Sequence, residues 1–370
     1  MRTPVYYFSC REYDKEKLKD IINILFKNMN FKGKKVLLKP NMLQGHDPGQ
    51  NVTTHPALVE ACAERVLEKG GKCFIGDSPS GRGKENARRA ASKTGFLGIC
   101  EKLGIEFDFF DGQELVEKPV DNGVVFNSFF IPESFFSYDM IINLPKLKTH
   151  SLTVFTLGVK NMMGVIAGKG KTDFHTRALH PESFADAICD LYSVARPDFT
   201  VLDGIRGMQG PGPVSGIEVR AGFILGSEDA NALDAAAETL CGADPRRVPI
   251  TRKAAERGLG SLEYMLDPVL GSPPCGLKFK KPLTYRSAAS AMVPRWLLYP
   301  LGLIYGYMRI PSVDREVCTG CAKCIQVCPA DAIQFKKGRP RIIMKKCVKC
   351  YCCAERCPER AIGERFSRLP

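Results

Sequence analysis

Apolar residues along this chain fall into short blocks that alternate between two periods, and polar residues gather at one end of those blocks. Val5 to Phe8 reads as a strand. Asp14 then caps a predicted helix whose apolar stripe is Leu18, Ile21, Ile22, Leu25 and Met29, at i, i+3, i+4 spacing. Val36-Leu37-Leu38 is a short buried strand running into Lys39-Pro40-Asn41. Pro56 opens a second helix, with Leu58, Val59, Cys62 and Val66 inward, and Gly70-Gly71 stops it. Cys73-Phe74-Ile75 leads into Gly76-Asp77-Ser78-Pro79, and Met140-Ile141-Ile142 into Asn143-Leu144-Pro145-Lys146-Leu147-Lys148-Thr149-His150. Phe199 to Leu202 leads into Asp203-Gly204 and a glycine-rich stretch ending at Gly212. Strand–helix alternation of this kind predicts an α/β fold, a mostly parallel sheet flanked by helices. Four predicted strands end in polar loops, and open α/β sheets bind ligands outside the carboxyl ends of their strands. The same residues also simply turn and solvate a chain, so any one loop taken alone says little.

The last part of the chain follows another rule. Cys318, Cys321, Cys324 and Cys328 stand at C-x2-C-x2-C-x3-C before Pro329, and Cys347, Cys350, Cys353 and Cys357 repeat that spacing before Pro358. The segment from about 312 to 366 resembles bacterial-type two-cluster ferredoxins, a small α+β module with an internal repeat. That resemblance implies crossed ligation, in which the fourth cysteine of each run joins the other cluster. Cys318, Cys321, Cys324 and Cys357 would hold one 4Fe–4S cluster, and Cys347, Cys350, Cys353 and Cys328 the second. Structural zinc favours two separated C-x2-C pairs, and disulfide frameworks belong to short secreted chains. Cys352 lies outside the pattern and reads as a neighbour of a cluster.

Composition adds boundaries. The organisation expected is an α/β domain over 1–286, an apolar linker over 287–311 and the cysteine module over 312–370. The linker region contains Trp296, Leu297, Leu298, Leu301, Leu303 and Ile304, interrupted by Arg295 and Pro300. It is expected to be buried between the domains, with a peripheral membrane contact as the lesser alternative. Cys10, Cys62, Cys73, Cys100, Cys189, Cys241 and Cys275 share no spacing and read as reduced core residues. With no apolar leader in Met1 to Asp20, they point to a cytoplasmic setting. The formal net charge is +13, but the cations are scattered and no nucleic-acid motif occurs, so nucleic acid is not an expected partner.

Within the α/β part, Lys39-Pro40-Asn41, Gly76-Asp77-Ser78-Pro79, the run from Asn143 to His150, Gly158-Val159-Lys160-Asn161-Met162-Met163-Gly164 and Asp203-Gly204 together resemble the domain of unknown function 362 family. The likeness spans about 3–265, with Ala232-Leu233-Asp234 in its closing helices. It implies a fold and a site, and members often carry a C-terminal ferredoxin module. A fainter likeness, at His55-Pro56 and the following Gly-Asp strand end, is to the N-terminal half of nickel-dependent lactate racemase. That family's basic and histidine residues have no clean counterparts here.

The candidate catalytic residues are Lys148, His150 and Lys160, with Lys39, Asn41, Asp77, Lys146, Asn161 and Asp203 as ligand-binding candidates. Cations outnumber carboxylates, which suits a small anionic substrate. His150 is the expected acid or base, and the glycines from Gly207 to Gly212 would admit a ligand to the backbone. Neither a phosphate loop nor a dinucleotide turn is present. Flavin stays open because many flavin sites leave no short motif, and another metal stays open although His46, His55, His175 and His180 show no metal-ligand spacing. The expected function is two-cluster electron transfer feeding a ferredoxin-linked oxidoreductase site, with a redox protein as partner. The alternative is a non-catalytic electron carrier or metallocofactor assembly factor.

Overall fold

The computed structural model describes residues 2–80, 83–150, 152–168, 170–178, 180–210, 212–214, 216–274, 277, 279–281, 307–328, 330–348 and 350–368. Most of the expected apolar linker, 287–306 with Trp296 and its neighbours, lies outside the described residues.

The strand and helix blocks form where the periodicity places them: β1 (Thr3–Ser9), α1 (Lys15–Leu25), β2 (Lys35–Pro40), α2 (Pro56–Glu68) and β3 (Lys72–Asp77). Asp14 caps α1 by accepting from the Lys17 amide, as its position predicts. There follow α3 (Lys84–Lys93), α4 (Phe96–Leu103), β4 (Glu106–Phe109), an antiparallel pair β5 (Leu115–Pro119) and β6 (Ser128–Pro132), then β7 (Met140–Leu144), β8 (Lys146–His150) and β9 (Val154–Thr156). The short α5 (Gly158–Asn161), α6 (Gly170–Arg177) and α7 (Pro181–Val194) precede β10 (Phe199–Gln209), β11 (Ile217–Val219) and β12 (Phe223–Ser227). α8 (Ala230–Leu240), α9 (Pro249–Glu256) and β13 (Tyr264–Leu270) complete the large part.

Its sheet has eleven strands, with the main order β13-β1-β12-β10-β7-β2-β3-β4. The run β10-β7-β2-β3-β4 is parallel throughout, while β12 is antiparallel to both β1 and β10. β2 shows why both faces must be covered. Val36 and Leu38 enter one apolar cluster with α1 and α2, while Leu37 enters another with Phe135 and α7. Alternation with no polar face is the pattern of a strand buried on both sides.

Two boundaries differ from the sequence expectation. β10 does not end at Leu202 but continues to Gln209, so Asp203 lies inside a strand. Lys146 to His150 is not a polar loop but β8, which pairs with β10 and β9. In addition, β14 (Tyr307–Val313) takes in residues assigned above to the linker. It pairs antiparallel with β17 (Ile362–Arg368), and β15 (Ile333–Lys336) with β16 (Arg339–Ile342) forms a hairpin. Among the described residues no helix is long and apolar enough to cross a membrane.

Candidate functional site

The carboxyl ends of β2 and β3 meet one another. Lys39 is fully buried, and its ammonium donates to Asp77 Oδ1 (2.8 Å) and to the Asn161 carbonyl (2.7 Å). Asp77 Oδ2 accepts from the Met42 amide at 3.0 Å. A buried charge is tolerable only when paired and hydrogen-bonded in this way. Gly164 passes directly over the pair: a Cβ there would collide with Asp77 Oδ1 and lie 2.5 Å from Lys39 Nζ. That close approach accounts for the glycine in the Lys160-Asn161-Met162-Met163-Gly164 motif.

Lys148, also fully buried, starts a chain of amides. Its ammonium donates to Asn41 Oδ1 (2.7 Å) and to the Val52 carbonyl (2.8 Å). Asn41 Nδ2 donates to Asn161 Oδ1 (2.8 Å), Asn161 Nδ2 to Asn143 Oδ1 (2.8 Å), and Asn143 Nδ2 to the Gly158 carbonyl (2.9 Å). A cation at one end and a carbonyl at the other fix every amide in a single orientation. Asp234 of α8 holds the far end, accepting from the Gly158 and Val159 amides at 2.7 and 3.0 Å. Burial pushes that carboxyl up to about 8, against the pull of the two amides.

These groups border a cavity of about 430 Å³. Asn41, Asp77, Lys148, His150, Lys160 and Asn161 all line it, so six of the nine α/β candidates converge. Lys39 sits just behind the lining. His150 Nδ1 accepts from the Leu152 and Thr153 amides at 3.1 and 3.3 Å. With that lone pair engaged, the neutral ring carries its proton on Nε2 and serves as a donor. Gly207 and Gly212 give room to the Leu147 and Thr149 carbonyls of β8.

Sequence reasoning missed the opposite wall. Lys171 of α6 donates to Ser78 Oγ (3.0 Å), to the Pro79 carbonyl (3.0 Å) and to the Ser78 carbonyl, and Ser78 Oγ donates to Asp111 Oδ2 at 2.7 Å. Burial lowers the Lys171 ammonium to about 8, with Asp77 and Asp111 opposing and Lys39 and Lys160 assisting. Thr156 Oγ1 is buried at the lining with no hydrogen-bond partner among the described residues. Arg89, Lys148, Lys160, Lys171 and Arg356 line the cavity against the single carboxylate of Asp77, counted over described residues.

Lys146 and Asp203 form a separate site. Lys146 donates to Asp203 Oδ2 (2.9 Å) and to the Tyr13 hydroxyl (2.8 Å), Tyr13 donates to Asp203 Oδ1 (2.9 Å), and the His55 amide donates to Asp203 Oδ2 (2.9 Å). The Tyr13 and His55 rings stack at 3.6 Å. Neither Lys146 nor Asp203 lines the cavity.

The cysteine module reaches the cavity. Gln326, Val327, Cys352 and Arg356 line it, and Arg356 donates to the Ser80 carbonyl and to Asn86 Oδ1, each at 3.0 Å. Val327 precedes Cys328 and Cys352 precedes Cys353. Elsewhere in the module, Cys318, Cys321, Cys324 and Cys357 border one cavity. Among the described residues no three His, Cys, Asp or Glu side chains gather around a single ion. A cysteine-walled cavity suits a cubane, which is wider than an ion. The repeat extends to the backbone: Ala322 and Tyr351 share a left-handed conformation, as do Asp331 and Arg360. The Ala332 amide donates to Cys328 Sγ and the Ala361 amide to Cys357 Sγ, both at 3.2 Å. Amide donors of this kind stabilise thiolate ligands, so the residues fit iron–sulfur clusters.

Fold and site thus define an α/β protein joined to an iron–sulfur module. Residues 36–239 match the model of the domain of unknown function (DUF362), and residues 310–358 match a 4Fe-4S dicluster domain. The chain belongs to the domain of unknown function (DUF362) family. It is 36% identical over 226 residues to the Thylakoid-associated protein sll1697 of Synechocystis sp., covering 61% of this chain and 68% of that protein. Its cysteine module is 30% identical over 59 residues to a Ferredoxin of Pyrobaculum islandicum, covering 16% of this chain and 55% of that protein. Among solved structures, the lactate racemase apoprotein from Thermoanaerobacterium thermosaccharolyticum aligns with a TM-score of 0.42 at 14% identity, over 65% of this chain and 57% of that one.

Proposed function

We propose that this protein is a ferredoxin-linked oxidoreductase that binds a small anion in the cavity between the sheet ends and the cysteine module. Cys318, Cys321, Cys324 and Cys357 hold one 4Fe–4S cluster in this reading, and Cys347, Cys350, Cys353 and Cys328 the other. Bound clusters supply single electrons. The observation that carries the reading is the shared wall: Cys352 and Val327, each next to a cluster ligand, line the same cavity as Lys148 and Lys171. A pure electron carrier has no use for a polar cavity at that place.

Five cations against one carboxylate set the charge of the ligand. Lys148, held by the amide chain, and Lys171, held by Ser78, bind and orient its anionic group. His150 donates from Nε2, and the Thr156 hydroxyl gains the partner it lacks. Arg356 fixes the module against Ser80 and α3, at the rim of the cavity.

Anaerobic purification tests the reading. It predicts about eight iron and eight sulfide per chain, and a small carboxylate or phosphate compound found by mass spectrometry in wild type and missing from Lys148→Met. Zinc in place of iron, or a single cluster, would refute the two-cluster part. A cavity that retains no anion in either protein would refute the site.

A further inference from the structure

One stretch of the module takes no part in the cavity. The β15–β16 hairpin and the turn after it carry Lys336, Lys337, Arg339, Arg341, Lys345 and Lys346, all exposed, with no carboxylate anywhere in 336–346. Among the described residues none of the six is ion-paired; Arg339 donates only to a backbone carbonyl, that of Arg315. Phe335, paired with Pro340 beside the turn of the hairpin, is 50% exposed. A cationic surface around an exposed ring is not what a solvated hairpin needs for its own stability.

What lies beneath this surface gives it a use. The hairpin turn packs on the first cysteine loop: a Cβ on Gly320 would meet the Gly338 carbonyl at 2.6 Å and the Phe335 ring at 3.8 Å. Pro340 of β16 borders the cavity formed by Cys318, Cys321, Cys324 and Cys357, and Cys321 is itself exposed. These cysteines do not line the large cavity, whereas Cys352 and Val327, beside the other set, do. The two cysteine sets therefore face different surroundings, one the cleft and one the basic surface.

We propose that the basic hairpin is the docking port for a small acidic electron-carrier protein, which delivers electrons to the Cys318, Cys321, Cys324 and Cys357 site. The proposal rests on the cluster reading given above. One electron leaves the carrier's reduced cofactor, which is oxidised by that electron, and is taken up at the cysteine site; no bond changes hands and no proton moves. Carboxylates on the carrier would meet the six cations, and an apolar contact on Phe335 would bring its cofactor over Cys321. Anionic lipid and nucleic acid would meet the same charges, but neither makes use of an exposed cysteine set under the contact.

The test uses anaerobically reconstituted full-length protein and flavodoxin, an acidic flavin carrier, as probe. Binding is measured by calorimetry across a salt series, and reduction by stopped-flow absorbance. In Lys336→Glu/Lys337→Glu/Arg339→Glu/Arg341→Glu, affinity and association rate should fall about ten-fold or more at low salt, with a flatter salt dependence. Lys345→Glu/Lys346→Glu, outside the hairpin, should give a smaller loss in the same direction. A charge-matched control, Lys27→Glu/Lys32→Glu/Lys35→Glu/Lys72→Glu, should stay within about two-fold of wild type. Cluster absorbance and reduction by dithionite should be equal in all four proteins. Hairpin variants that bind flavodoxin like wild type would overturn the port, as would an equal loss in the control. Hairpin-dependent binding to anionic phospholipid vesicles in preference to flavodoxin would also overturn it. If the reconstituted wild type holds no iron and sulfide, the cluster reading falls and the port with it.

Discussion

Lys39–Asp77 and Lys146–Asp203 are built from the same two residue types at nearly the same distance, 2.8 and 2.9 Å, and both are sealed from solvent. Their surroundings differ. Lys39–Asp77 lies at the edge of a cavity, with Asp77 in the lining and an amide chain running on to Lys148. Lys146–Asp203 is closed by Tyr13 and the His55 amide, and every described polar neighbour belongs to the protein. A buried ion pair marks a function only when the groups around it are left open to something else. The first pair supports a site, and the second ties β8, β10 and the chain around Tyr13 and His55 into one block.

The largest effect separating them should be on stability. Asp203→Ala leaves Lys146 buried without its carboxylate, and it should cost about 3–5 kcal/mol in denaturant unfolding. Anion affinity per folded molecule should be unchanged. If Asp203→Ala folds normally and loses the anion, Asp203 belongs to the site after all.

Lys148→Met should cost anion binding as well as some stability, since it leaves the buried Asn41 and Val52 oxygens without their donor. Losing a charged donor to the ligand should weaken anion binding by about 1.5–3 kcal/mol, roughly 13- to 160-fold, by calorimetry with a carboxylate or phosphate probe. Its iron content should match wild type. Unchanged affinity would remove Lys148 from the binding set.

A smaller effect is expected from pH. Lys171 falls from its ordinary 10.5 to about 8 chiefly because it is buried. Its protonated form attracts the anion, so affinity should be full below about pH 8 and decline as pH rises through that value. Lys171→Met should bind more weakly and lose this pH dependence; a wild-type profile flat from pH 7 to 10 would contradict the assignment.

Much of this was legible in the sequence, for definite reasons. The i, i+3, i+4 stripe of α1 and the apolar blocks of β2, β3 and β7 reflect burial, which the chain records directly. The cysteine spacing records ligand geometry in the same direct way. Lys148 and Lys146 were legible as chemistry but not as structure. Lys-Leu-Lys-Thr-His reads as a polar loop because the groups that make a buried lysine tolerable are remote, 57 residues away for Asp203 and 107 for Asn41. For the same reason the sequence placed Lys146 and Asp203 in the cleft. Lys171 was hidden among small and charged neighbours, where a lysine ordinarily meets water. Arg356 was hidden inside the second cysteine run, whose spacing gives no sign that the arginine reaches Ser80 and Asn86.

If the anion site and one cluster share a wall, electron paramagnetic resonance of the dithionite-reduced protein should register the anion. An anion bound beside Cys352 should shift the signal of the cluster assigned to Cys347, Cys350, Cys353 and Cys328. It should leave the other cluster's signal unmoved, and Lys148→Met should abolish the shift. An anion that binds by calorimetry yet leaves both signals unchanged would contradict the shared wall.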